Sequence, residues 1–68
     1  MATYKLFSSD GDFIDSFKYR YESNNKRCSV EFWLTENSRS NDTYIVERWE
    51  DHTMVKKEIV QPSQTSSD

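Results

Sequence analysis

The stretch "CSVEFWLTE", residues 28–36, decides how the rest of the chain is interpreted. Apolar and polar side chains alternate along it, so that the four apolar residues from Cys28 to Leu34 fall on one side. Alternation with a period of two predicts a half-buried β-strand. Trp33 falls on the other side, among polar neighbours, and is therefore the first residue to consider for a function.

The length of the chain limits what it can build. Sixty-eight residues make one domain, predicted over residues 1–60, and the polar end "QPSQTSSD" (61–68) predicts a disordered tail. A single core of this size rarely supplies more than about 3–5 kcal/mol of net stability. One cysteine excludes an internal disulfide, and a single histidine gives no metal-ligand spacing. Stability must therefore come from aromatic packing and association.

Turn residues divide the remaining sequence into hairpins. Asn24-Asn25 suits the two positive φ angles of a tight type I′ turn, and Ser9-Asp10-Gly11 suits a three-residue loop with Gly11 left-handed. No stretch of ten or more residues has a helical period. The sequence predicts an all-β, five-stranded antiparallel meander. Its strands are 3–8, 12–22, 27–36, 43–50 and 53–60.

Opposite charges and matched apolar side chains set the predicted register, because such pairs stabilise facing positions of antiparallel strands. The predicted cross-strand pairs are Phe7–Phe13 and Lys5–Asp15, then Tyr21–Cys28, Tyr19–Val30, Phe17–Phe32, Lys18–Glu31 and Glu22–Arg27, then Leu34–Ile45, Val30–Trp49 and Glu31–Arg48, and finally Trp49–Val55, Glu47–Lys57 and Ile45–Ile59.

This register gives the sheet two unequal faces. The more apolar face carries Phe7, Phe13, Phe17, Tyr19, Tyr21, Cys28, Val30, Phe32, Leu34, Ile45, Trp49, Val55 and Ile59, and the half-polar face carries Tyr4, Leu6, Ile14, Trp33, Tyr44, Val46, Met54 and Val60 among charged residues. No predicted helix covers the apolar face, which is too large to leave in water. Either the sheet curls into a small barrel around it, or two open sheets stack in a homodimer.

Residues that could carry out catalysis are few. His52 lies in a predicted solvated turn, and Cys28 faces the predicted core, where a thiol is a poor nucleophile. A single glycine leaves no phosphate-binding loop. We therefore predict that the protein is not an enzyme, with no cofactor, no metal and no small-molecule substrate.

The half-polar face is the predicted binding site. Tryptophan, tyrosine and arginine carry most of the binding energy at interface centres, and Trp33 lies opposite Val46 in the predicted register. The predicted binding residues are Trp33, Tyr44, Val46, Lys18, Arg20 and Arg48. This composition favours a small interaction module or inhibitor that docks on a larger protein partner. Passive packing of Trp33 on the sheet is the alternative.

Two further functions use the same surface. Stacking on aromatic rings and basic side chains would suit a single-stranded nucleic acid, although a net charge of −3 counts against it. Self-association into a larger assembly is the second further function. The N-terminal sequence has no apolar run typical of a signal peptide, and no stretch is long and apolar enough to span a membrane. We expect a cytoplasmic protein. Free-standing acidic β proteins of this size without enzymatic motifs are often accessory or phage-encoded inhibitors.

Overall fold

A computed structural model describes residues 2–21, 26–38 and 42–61. This part of the chain is mostly β, with four antiparallel strands and one short α-helix. The elements are β1 (Ala2–Ser8), β2 (Phe13–Phe17), a 3-10 turn (Lys26–Cys28), α1 (Val30–Asn37), β3 (Tyr44–Glu50) and β4 (Thr53–Val60). The strand order is β2-β1-β3-β4, so β2 and β4 are the edges of an open sheet and the described strands form no barrel.

The first hairpin forms as predicted at its turn. Gly11 has φ of +93°, its N–H donates to the Ser8 carbonyl at 2.9 Å, and the Ser8 N–H donates to the Asp12 carbonyl at 2.9 Å. Phe7 faces Phe13, which confirms that pair. A bulge next to this pair inserts one extra residue in β2, so the register beyond it differs from the prediction.

The bulge moves a phenylalanine from one face of the sheet to the other. Beyond it Lys5 pairs with Ser16 instead of Asp15, and Tyr4 pairs with Phe17. Because side chains alternate between faces, a shift of one residue reverses the face of every later side chain. Phe17 is consequently buried on the face that was predicted to be half-polar.

The last hairpin also matches the prediction along most of its length. Ile45 faces Ile59 and Glu47 faces Lys57, as expected. The turn is shorter than predicted, because Asp51 and His52 both adopt positive φ (51° and 65°) and form a two-residue turn. Trp49 therefore pairs with Met54, and a bulge with Val55 as the extra residue restores the predicted register.

The prediction for the middle of the meander is wrong. Residues 27–36 form a 3-10 turn and helix α1 instead of a strand, and the preceding strand ends at Phe17. Because this predicted strand is absent, the antiparallel pairs assigned to it do not form among the described residues, and Glu22 of the predicted Glu22–Arg27 pair lies outside them. β1 pairs directly with β3 instead, from Ala2↔Glu50 to Ser8↔Tyr44. The predicted turn at Asn24-Asn25 lies outside the described residues, as does the predicted tail apart from Gln61.

A serine begins the helix. Ser29 has an extended backbone (φ −118°, ψ 149°), and its Oγ accepts a hydrogen bond from the Phe32 N–H at 3.0 Å, which is the geometry of an N-cap. At the other end, the Ser38 N–H donates to the Leu34 carbonyl at 3.0 Å. The helix has eight residues, too few to be stable without tertiary packing.

The helix packs on one face of the sheet, which we call the inner face, and this placement reverses the predicted core. The buried hydrophobic residues are Leu6, Phe17, Val30, Leu34, Tyr44 and Val46, with Tyr4, Ile14, Trp33 and Val60 packed against them. The opposite face of the sheet, the outer face, was predicted to be the core. No described element covers it.

Candidate protein-binding surface

The predicted binding residues divide between the two layers of the fold. Tyr44 and Val46 lie on β3 beneath the helix, 8% and 1% exposed. Trp33 lies on α1, and its ring meets that of Tyr44 edge to face with centroids 5.7 Å apart. The structure places these three residues in the contact between helix and sheet rather than on an open face. The expectation that they form an exposed surface is wrong.

Acidic neighbours pair with the two predicted arginines. Arg20, whose side chain is 11% exposed, pairs with Glu31 on α1 and lies 3.9 Å (Nε to Oε2) from Glu58 on β4. Arg48 pairs with Glu50. Lys18 follows β2 and is exposed. Arg20 thus connects α1 and β4, whereas Arg48 pairs within β3 and its side chain is 43% exposed. The accessible part of the predicted site is Lys18, Arg48 and part of Trp33.

The outer face has its side chains arranged in three rows across the strands. The first row is wholly apolar, the second is charged and the third is centred on Trp49. In order they are Phe13–Phe7–Ile45–Ile59, then Lys5–Glu47–Lys57, then Thr3–Trp49–Met54. Two apolar side chains of the first row are more than half exposed, Phe13 at 59% and Ile59 at 75%, and the bulge residue Val55 is 53% exposed.

Trp49 is held in one orientation by the charged row. Its indole Nε1 donates to the Glu47 Oε1 at 2.9 Å, and the Lys5 Nζ lies 4.0 Å from the ring centroid. A cation this close to an aromatic face is attracted by the ring quadrupole. Both contacts fix the side chain without burying it beneath another element, so an aromatic anchor is preorganised on the outer face.

An open groove lies beside this tryptophan. It encloses about 450 Å³ and is lined by Thr3, Lys5, Trp49, Asp51 and His52. The two turn residues form its rim because both have positive φ, which folds the β3–β4 turn tightly at the end of the sheet. The groove offers an apolar ring, a cation and an acid within one concave patch.

A second depression lies at the opposite end of β3. It encloses about 520 Å³ and is lined by Ser8, Ser9, Asp42, Thr43 and Tyr44. The Tyr44 hydroxyl donates to Asp42 Oδ2 at 3.0 Å. Burial, then this hydrogen bond and the carboxylate charge, raise the pKa of Tyr44 above 10.0. The phenol is therefore neutral at physiological pH and acts as a structural hydrogen-bond donor.

Metal-binding and membrane-spanning features are not found in the described residues. Within 2–21, 26–38 and 42–61 no three His, Cys, Asp or Glu side chains are grouped as metal ligands would be. Over the same ranges no helix is both long and apolar enough to cross a membrane. Cys28 is a half-buried free thiol at the end of the 3-10 turn.

The sequence contained a signal for the outer face. Phe7, Ile45, Trp49 and Ile59 were placed on one face by the hairpin register, and the structure confirms that grouping. Their assignment to the core was wrong, because the layer that packs on the sheet covers the other side. No protein-family model, no curated protein and no solved structure matches the chain, so the case for a function rests on its own residues.

Proposed function

We propose that the protein is a non-enzymatic interaction module, or a small inhibitor, that docks on a larger protein partner through the outer face of its sheet. The observation that carries this proposal is the preorganised Trp49, fixed by Glu47 and Lys5 on the face that also carries the exposed side chains of Phe13 and Ile59. Anchors of this kind lose little conformational entropy on binding, and tryptophan is enriched among residues that dominate binding energies.

The chemistry of the partner follows from the three rows. An apolar ridge would cover Phe7, Ile45 and Ile59, while the neighbouring row offers two lysines to one glutamate. With two lysines and one glutamate, this row has a net positive charge. We therefore propose a protein surface that combines an apolar ridge with at least one carboxylate positioned to meet this lysine-rich row.

A protein partner suits this face better than a single-stranded nucleic acid. Bases stack on exposed aromatic faces, but Lys5 already lies over the Trp49 ring. Glu47 beside that ring would repel a phosphate, and the chain carries a net charge of −3. Nucleic-acid binding and stacking of two copies through their outer faces, which the sequence also suggested, are the alternatives that the experiment must separate.

The proposal places the protein in the cytoplasm, where its lone cysteine stays a thiol. The site predicted around Trp33 has a smaller part in it. Lys18, Arg48 and part of Trp33 remain accessible, but the aromatic and apolar residues beside them support the fold.

A capture experiment with matched variants tests the proposal. Tagged wild-type protein, Trp49→Ala and Tyr21→Ala are used in parallel; Tyr21 is 67% exposed and lies outside the outer face. We expect one defined protein to bind wild type and Tyr21→Ala and to be lost with Trp49→Ala, in capture and again in titration with the purified partner. Equal binding by Trp49→Ala would overturn the proposal.

The alternatives are tested in the same set of proteins. Labelled single strands titrated at low and high salt report nucleic-acid binding, which weakens steeply with salt when phosphates are contacted. Sedimentation reports a stacked dimer, which Trp49→Ala would dissociate. Either positive result, without a captured protein, replaces the proposed partner.

A further inference from the structure

β4 forms one edge of the sheet and is the most exposed of the four described strands. β4 pairs with β3 on one side, and no described strand pairs with its other side. Six of its eight residues are exposed, and the strand contains no proline. The other edge, β2, is only five residues long. An open edge presents a row of unpaired N–H and C=O groups, which is a template for another strand.

Charges on this strand are matched from within the molecule. Lys57 lies opposite Glu47 on β3, and the Lys56 Nζ lies 3.8 Å from Glu58 Oε2. Edge lysines usually discourage pairing by self-repulsion. Here each has an acidic neighbour, while Val55 and Ile59 remain more than half exposed on the same strand.

We infer that two copies of the chain pair through β4, antiparallel, with a two-fold axis at Lys57. A two-fold axis normal to the sheet keeps the outer face of both copies on the same side. Such an axis must pass midway between the two copies of one residue, which then face each other. The choice among such pairs is then set by which side chains come to face each other.

The register centred on Lys57 is the only one of three adjacent choices that matches charge with charge. It places Lys56 opposite the partner subunit's Glu58, twice. Centring on Lys56 would place Lys57 opposite the partner subunit's Val55. Centring on Glu58 would place Lys57 opposite the partner subunit's Ile59. Both of these bring lysine against an apolar side chain.

The chosen register has one unfavourable contact, between the two copies of Lys57. Each of these lysines keeps its own Glu47 on the neighbouring strand, so the two like charges lie between two carboxylates. The resulting sheet has eight strands in the order β2-β1-β3-β4 and its inverse, with one Trp49 on each half of a continuous outer face.

Disulfide trapping tests the register. In a Cys28→Ser background, Lys57→Cys places two thiols directly opposite each other, at the Cα separation of facing strands that a disulfide accepts. Lys56→Cys is the matched control, because its two copies lie on a diagonal about 7–8 Å apart. We expect Lys57→Cys to cross-link at least about tenfold faster than Lys56→Cys.

Measurements on the wild-type chain make the test independent of any variant. Sedimentation over a wide range of concentration should show a monomer–dimer equilibrium, and hydrogen exchange of residues 55–59 should slow as concentration rises while that of β2 does not. A monomer throughout, or equal cross-linking by the two variants, would overturn the inference. Trp49→Ala should leave this dimer intact, so failure here is distinct from failure of the proposed docking function.

Discussion

The indole of Trp33 and the phenol of Tyr44 meet edge to face, at an interplanar angle of 78° and a centroid separation of 5.7 Å. One ring belongs to α1 and the other to β3, so this contact joins the helix to the sheet. Aromatic pairs in this geometry contribute about 0.5–1.5 kcal/mol beyond the area they bury. The tryptophan first considered for binding is therefore part of the packing between layers.

Replacing Trp33 with alanine should destabilise the fold. Because Trp33 is partly exposed and packs against the core, we expect a loss of about 2–3 kcal/mol, less than the roughly 3–5 kcal/mol of a fully buried aromatic. Denaturant unfolding measures it. Trp49→Ala is the control and should lose less than about 1 kcal/mol, since no described element packs over that ring. The opposite order would mean that the helix does not cover the inner face.

The first and last hairpins could be predicted because turn chemistry and cross-strand matching agree in both. Gly11 and the Phe7–Phe13 pair are local features, separated by few residues, and the structure has both. The sequence did not reveal the bulge in β2 or the bulge in β4. An extra residue in β2 costs little backbone energy but moves Phe17 to the inner face, and no single residue type marks that position.

The helix could not be recognised by its period because it is so short. In "CSVEFWLTE" the same residues satisfy both patterns: Val30, Trp33 and Leu34 are at helical spacing i, i+3, i+4, and alternation with period two runs through the same stretch. The one distinguishing signal was Ser29 at the N-cap. Phe32, which alternation assigns to the core, is only half-buried on the helix.

The side chain of Ser29 should be worth more to stability than its size suggests. Ser29 is fully buried and its Oγ accepts from the Phe32 N–H at the start of the helix. We expect Ser29→Ala to cost about 1–2 kcal/mol, since an N-cap acceptor is lost. Thr35→Ala, at an exposed position of the same helix, is the control and should change stability by less than about 0.5 kcal/mol. Equal losses, measured by thermal or denaturant unfolding, would contradict the capping role.

Glu31 should stabilise the fold through Arg20. The Arg20 side chain is 11% exposed and pairs with Glu31, so Glu31→Gln leaves a nearly buried cation with one charged partner fewer. We expect a loss of about 1–3 kcal/mol. Glu50→Gln removes the partner of Arg48, whose side chain is 43% exposed, and should cost less than about 1 kcal/mol. If unfolding at neutral pH gives both variants the same stability, the Arg20–Glu31 pair contributes no more to stability than the exposed Arg48–Glu50 pair.

The buried phenol of Tyr44 predicts a loss of stability at alkaline pH. Its pKa is raised above 10.0 by burial and by Asp42, so the folded state holds the proton more tightly than the unfolded state. Stability from this group is fully present below about pH 10 and is lost as pH rises through the folded-state pKa, because the unfolded chain ionises first. Denaturant unfolding at about pH 9 and about pH 11 should show a decrease that is smaller in Tyr44→Phe. Tyr21→Phe, at a position 67% exposed, is the control and should keep the wild-type decrease; an unchanged decrease in Tyr44→Phe would show that ionisation of this phenol is not its source.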